Sequence, residues 1–192
     1  MNTSQQPLKI IGISGSLRRA SYNRTALAIA VNMASSAGMI TQEIDLKELN
    51  LPIYDADIEA EGFPESAQRM RAMVASADVI LMATPEYNHS ISGALKNAID
   101  WLSTTKNVLN GKTAAIFGVS TGLFGTMRAQ AHLRQILTAL NVFLVPQPQV
   151  FIGSGKEAFT ENGLLKDDRI SIKLNELLGK TFDLAKLRKK FN

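Results

Sequence analysis

The chain contains no cysteine and only two histidines, His89 and His132. Without thiols there can be no disulfide, no thiolate nucleophile and no cysteine-ligated zinc, which fits a reducing cytosol. Two isolated histidines give a metal centre little to work with, so no metal is expected. No apolar run approaches the length of a membrane span. Residues 1–7 are polar and lack the apolar core of a leader. The expectation is a cytoplasmic protein with no membrane partner. Neither sign of charge dominates, with 21 basic against 17 acidic residues and a net charge of +4. Four of the basic residues, Lys186, Arg188, Lys189 and Lys190, lie in the last seven positions, so the other 17 match the 17 acids. That balance calls for no nucleic acid partner, and the basic tail reads as a solvated one. Nothing resembling a linker or repeat divides the sequence. A single domain over 1–192 is expected, with 1–7 disordered.

What the sequence does have is alternation of apolar runs and helical stripes. Residues 8–13, with Ile10, Ile11 and Ile13, read as a buried strand, and from Asn23 onward Leu27, Ala30, Val31 and Ala34 share a helical face. Residues 40–46 alternate as a half-buried strand would, with Ile40, Ile44 and Leu46 on one face and Gln42 interrupting it. Residues 50–64 hold Pro52, Gly62 and several acids and read as a loop, followed by a helix carrying Ala67, Met70, Val74 and Ala77 on one side. Residues 79–84 are apolar almost throughout, as a central parallel strand covered on both faces would be, and Pro85 ends them.

A helix over 92–102 follows, then a fourth buried strand over 113–119 and a long helix with Leu133, Ile136, Leu137 and Leu140 inward. Residues 142–145 supply a fifth strand that Pro146 and Pro148 close. Residues 149–166 read as irregular, and a last helix runs over about 167–187. The alternation predicts an α/β fold, a doubly wound five-stranded parallel sheet with helices on both faces. In the flavodoxin-like order 2-1-3-4-5, strands one, three and four are neighbours. The loops beginning at Ser14, Pro85 and Ser120 then meet in one crevice at the switch point.

The first of these loops, residues 14–24, reads Ser-Gly-Ser-Leu-Arg-Arg-Ala-Ser-Tyr-Asn-Arg between a strand and a helix. Such a loop offers free backbone N–H groups and the positive end of a helix dipole to a phosphate. Neither common glycine-rich pattern is present. Gly12-Ile13-Ser14-Gly15 has the wrong spacing for a dinucleotide fingerprint. Gly111-Lys112-Thr113 lacks the first glycine of a Walker A loop, and Gly153-Ser154-Gly155-Lys156 is followed by Glu157. A loop rich in hydroxyls suits a terminal phosphate monoester.

Four motifs together resemble the NADPH-dependent FMN reductase family, the flavodoxin-like group that includes chromate, quinone and azo-dye reductases. They are Gly15-Ser16-Leu17-Arg18 with Ser21 and Asn23, Pro85-Glu86-Tyr87-Asn88, Leu95-Lys96-Asn97-Ala98-Ile99-Asp100-Trp101, and residues 120–130. The resemblance implies FMN as cofactor, with NADPH or NADH as electron donor and a small molecule (quinone, chromate, azo compound or flavin) as acceptor. It implies that Ser16, Arg18, Ser21 and Asn23, with Leu17 and Tyr22 between them, hold the FMN phosphate. Pro85, Glu86, Tyr87 and Asn88 then line the isoalloxazine, and Ser120, Thr121 and Gly122 border it. No acid, base or nucleophile is demanded of the chain, because the flavin carries the hard chemistry. Where many relatives have a second glycine, Thr126 follows Gly125, and it is expected to cap the next helix.

The resemblance also implies a homodimer or homotetramer, with the helix from Ser92 and the loops beside it near the subunit contact and Tyr87 or Trp101 at its border. Two other readings compete. Gly118-Val119-Ser120-Thr121-Gly122 matches G-x-S-x-G, the nucleophile elbow of a serine hydrolase, but the only later histidine is His132, inside the adjoining helix. A flavodoxin-type electron carrier would share the fold, but such carriers are typically strongly acidic.

Overall fold

A computed structural model describes residues 6–190. Of the N-terminal residues expected to be disordered, 1–5 lie outside the described part. The sheet is built from β1 (Lys9–Ser14), β2 (Ile40–Ile44), β3 (Val79–Ala83) and β4 (Thr113–Val119), with the short strands β5 (Phe143–Leu144) and β6 (Val150–Ile152). Every pairing is parallel and the order is β2-β1-β3-β4-β5, as the sequence predicts.

Side chains alternate along each inner strand between two cores. Ile11, Ile13, Ile80, Met82, Ala114 and Ile116 face one side, and Ile10, Val79, Leu81, Ala83, Ala115 and Phe117 face the other. Both faces are covered, which is why these strands are apolar throughout. Helices α1 (Tyr22–Ser36) and α7 (Asp168–Lys189) cover the second side through Leu27, Ala30, Leu174, Leu177 and Phe182. Helices α4 (Glu65–Ser76), α5 (Gly93–Ser103) and α6 (Met127–Ala139) cover the first through Met70, Val74, Leu95, Ile99, Leu133 and Leu137.

Three expectations are corrected. The fifth position of the sheet is not one strand over 142–145. β5 pairs with the start of β4 and β6 with its end, Phe117 opposite Val150 and Val119 opposite Ile152. Pro146 and Pro148 fall in the gap, where neither can donate to a ladder, so part of the supposedly irregular 149–166 is sheet. The loop over 50–64 contains a short helix, α3 (Ala56–Glu61), and residues 46–49 form the one-turn α2 (Leu46–Leu49), capped by Asp45. Trp101 is fully buried and donates its indole N–H to the Pro52 carbonyl at 2.8 Å, so it cannot border a subunit contact.

Candidate active site

Three loops leave the C-terminal ends of β1, β3 and β4, and specific bonds tie them to one another. Ser14 and Ser16 are buried, whereas Leu17, Arg18, Arg19 and Ala20 face solvent. The N–H of Ser16 contacts Ser14 Oγ at 3.3 Å. Among the described residues, the N–H groups of Leu17, Arg18, Arg19 and Ala20 find no acceptor within the chain. Ser21 is the N-cap of α1. Its Oγ accepts from the N–H of Asn23 at 3.2 Å and of Arg24 at 3.3 Å, which leaves its hydroxyl hydrogen for a ligand. The Arg18 guanidinium lies 5.8 Å from the Tyr22 ring centroid and makes no ion pair among the described residues. Arg24 is committed elsewhere, to Asp45 at 2.6 Å.

Asn23 has a structural task. Its side-chain N–H donates to the carbonyl of Val119 and its Oδ1 accepts from the N–H of the same residue, both at 2.9 Å. The end of β4 is thereby fixed against the first turn of α1, and Asn23 has one amide hydrogen left over. Ser92, the N-cap of α5, makes a second tie, since its hydroxyl donates to the Gly15 carbonyl and accepts from the N–H of Leu95.

In the β3 loop Pro85 is buried, and Tyr87 and Ser90 exchange backbone hydrogen bonds at 2.9 and 3.0 Å. Asn88 and His89 between them have φ of 49° and 63°, the two positive values that a type I′ hairpin turn requires. The turn holds Tyr87 out, about half exposed. Glu86 points the other way. Its carboxylate accepts from the N–H groups of Arg128 and Ala129, each at 3.0 Å. What Glu86 still offers a ligand in the crevice is its backbone. Thr126, expected to cap α6, makes no side-chain cap bond; its Oγ1 accepts from Gln130 Nε2 at 2.9 Å instead.

The β4 loop is backed by residues 152–155. Ser120 donates its N–H to Ile152, accepts from Gly155, and points its hydroxyl at the Gly125 carbonyl 2.6 Å away. The backbone N–H of Ser120 is thus spent, and those of Thr121 and Gly122 are the ones left for a ligand. Ser120 is no activated nucleophile, since His132 contacts Ser90 Oγ at 3.0 Å instead. A Cβ on Gly118 would strike the Thr84 carbonyl, and one on Gly155 would meet Tyr22 and Val119 at 2.9 Å. In the sequence, Gly153-Ser154-Gly155 reads only as a rejected Walker A candidate in an irregular stretch, and its supporting role shows in the structure alone. Its one signal is a pair of glycines directly after the apolar Val150-Phe151-Ile152.

The chemistry of these groups fits FMN. A row of free N–H groups, two serines and an exposed arginine suit a dianionic phosphate, and two flanking loops with free backbone donors suit a flat heteroaromatic ring. The profile of the NADPH-dependent FMN reductase family matches residues 8–157. An NAD(P)H-dependent FMN reductase of Pseudomonas aeruginosa is 47% identical over 163 residues, 84% of this chain and 86% of that protein. A 2-hydroxy-1,4-benzoquinone reductase of a Burkholderia species is 39% identical over 158 residues, 81% and 84% of the two chains. Among solved structures, FerB, an NAD(P)H:(acceptor) oxidoreductase of Paracoccus denitrificans, superposes with a TM-score of 0.84 at 29% identity, over 94% of this chain and 98% of that one. Neither the hydrolase nor the electron-carrier reading accounts for the hydroxyl-rich loop and these matches together: the chain belongs to the NADPH-dependent FMN reductase family.

Proposed function

We propose that this protein is an NAD(P)H-dependent oxidoreductase that passes electrons to quinone-type acceptors through FMN held in the three-loop crevice of one flavodoxin-like domain. The carrying observation is the row of N–H groups from Leu17 to Ala20, without partners among the described residues, beside Ser16, Ser21 and Arg18. Ser16 and Ser21 donate hydroxyl hydrogens to the phosphate, the backbone donors surround it, and Arg18 adds the charge. Asn23 acts mainly by holding the first and third loops together. Leu17 and Tyr22 flank this cradle. Pro85, the backbone of Glu86, Tyr87 and Asn88 form one wall of the ring pocket, and Ser120, Thr121 and Gly122 form the other. When bound, the flavin supplies the two-electron chemistry that links a nicotinamide to a quinone.

The residues of this chain bind, orient and shield. The N–H groups of Thr121 and Gly122, without acceptors among the described residues, would stabilise negative charge on the reduced ring. Quinone acceptors are favoured over chromate or azo compounds by the names of several relatives, and free flavin stands beside them because the family and another relative are named as FMN reductases. With Arg18 committed to the FMN phosphate, the exposed Arg19 and the family's name favour NADPH over NADH. We further place the protein in the cytoplasm as a homodimer or homotetramer. In support, no described helix is long and apolar enough to cross a membrane. A groove of about 570 Å³ beside the phosphate loop, bordered by Leu17, Leu51, Ile53 and Tyr54, leaves Ile53 83% exposed, and a second subunit would cover it. Oxidation of NADPH by the FMN-loaded protein with 1,4-benzoquinone tests the reading. Turnover that needs both FMN and quinone supports it, and no turnover with either nucleotide rejects it.

A further inference from the structure

Glu86 sits in a loop assigned above to the ring wall, yet its carboxylate leaves the crevice. The side chain is 12% exposed, its Oε2 accepts from the N–H groups of Arg128 and Ala129 at 3.0 Å, and its Oε1 lies 3.7 Å from Arg128 Nη1. These are orphan donors of the first turn of α6, whose own N-cap, Thr126, supplies no side-chain bond. An acid from another loop therefore does the capping. A second contact runs parallel to it, one turn further along the helix, where His132 Nδ1 meets Ser90 Oγ. Helix α6 is in turn anchored to the sheet, because Gln130 Nε2 donates to the Val150 carbonyl at 2.8 Å. The loop over 85–90 is thus fastened at two points to a helix that begins just after the loop over 120–126.

We propose that Glu86 is a positioning residue that sets the distance between the two walls of the flavin pocket by capping α6 from the β3 loop. This rests on the FMN reading above. The clamp fixes the backbone of residues 85–88 on one side and the entry of α6, and with it Thr121 and Gly122, on the other. Glu86 touches neither the ring nor the acceptor through its carboxylate. Because the walls hold the ring and not the phosphate, loosening them weakens FMN and riboflavin by the same factor. That pattern differs from loss of a phosphate ligand.

Three measurements on Glu86→Ala and Glu86→Gln test the clamp: amide exchange at residues 128 and 129 in flavin-free protein, affinity for FMN and riboflavin, and visible circular dichroism of the bound flavin. In Glu86→Ala exchange accelerates, both affinities fall together by about ten-fold as the competent arrangement becomes a minor population, and the dichroic band changes shape. Glu86→Gln still presents an oxygen to both N–H groups and restores most of each effect. Unchanged exchange at 128 and 129 in Glu86→Ala overturns the clamp, and so does faster exchange with unaltered affinities. Should the alanine variant not fold, Glu86→Asp, one methylene too short to reach both N–H groups, takes its place with the same expected and overturning results. Flavin affinity retained with kcat lost and its pH profile moved makes Glu86 a catalytic residue and overturns the positioning role. Failure of the wild type to bind either flavin defeats the FMN reading itself, and amide exchange in the flavin-free protein separates the two failures.

Discussion

Asn23 and Val119 stand 96 residues apart in the chain and exchange two hydrogen bonds at 2.9 Å, side chain to backbone in both directions. They join the helix that follows the first loop to the strand that precedes the third. Since a buried donor or acceptor left without a partner costs about 1–3 kcal/mol, Asn23→Ala should destabilise the fold by about 2–4 kcal/mol. For a chain of this size that lowers Tm by about 5–15 °C. Calorimetry checks it. An unchanged Tm with FMN affinity alone reduced would make Asn23 a direct phosphate ligand.

Arg18 is exposed and makes no ion pair among the described residues, so Arg18→Gln should leave the fold intact. Losing a charge-assisted hydrogen bond to the phosphate costs about 1.5–3 kcal/mol, which lowers FMN affinity about ten- to a hundred-fold. Riboflavin has no phosphate and should bind mutant and wild type alike. Fluorescence titration with both flavins separates the outcomes, and equal loss of both would show that Arg18 supports structure instead.

Gly118 has no room for a side chain, because a Cβ would run into the Thr84 carbonyl and lie 2.5 Å from Thr126 Oγ1. Gly118→Ala should push the third loop from the second, at a cost of about 1–3 kcal/mol or more. Reduced Tm together with weakened flavin binding is expected. Wild-type values for both would show that the two loops yield more easily than their packing implies.

Helix α3 buries no side chain, and Glu59 fastens it to the end of α5. The Glu59 carboxylate accepts from Thr104 Oγ1 at 2.6 Å, from the Tyr54 hydroxyl at 2.8 Å, and from Thr105 Oγ1. The bond from Thr104, then that from Thr105, holds its pKa below the ordinary carboxylate value of 4.5. Because the folded pKa is depressed, the stabilisation is present above the ordinary carboxylate range and is lost as pH falls through the lowered value. Trp101, the single tryptophan, packs edge-on to Tyr54 with ring centroids 5.0 Å apart. Its fluorescence should change below pH 4.5 in the wild type, while Glu59→Gln should remove that step. A step that survives the substitution would assign it to another group.

The parallel sheet was legible because residues 79–83 and 113–119 are buried on both faces, and apart from Thr113 they carry unbroken apolar runs. The three loops followed from strand order alone. Features fixed by distant contacts were not legible. Nothing local to Asn23 names Val119 as its partner, and nothing in Pro85-Glu86-Tyr87-Asn88 turns the second side chain toward α6. Helix α3 has no apolar period because it buries nothing, and β6 is only three residues long and follows two prolines. Thr126 has the composition of a cap, but Glu86 already occupies the donors it would serve.

The central claim is that the loop over 14–24 is built for a phosphate on a flavin. Calorimetric titration of the flavin-free protein with FMN and, separately, with riboflavin tests it most directly. The expected result is one FMN per chain, bound at least ten-fold more tightly than riboflavin, the minimum that about 1.4 kcal/mol from the phosphate contacts provides. Equal affinity for the two flavins, or no binding of either, would contradict it.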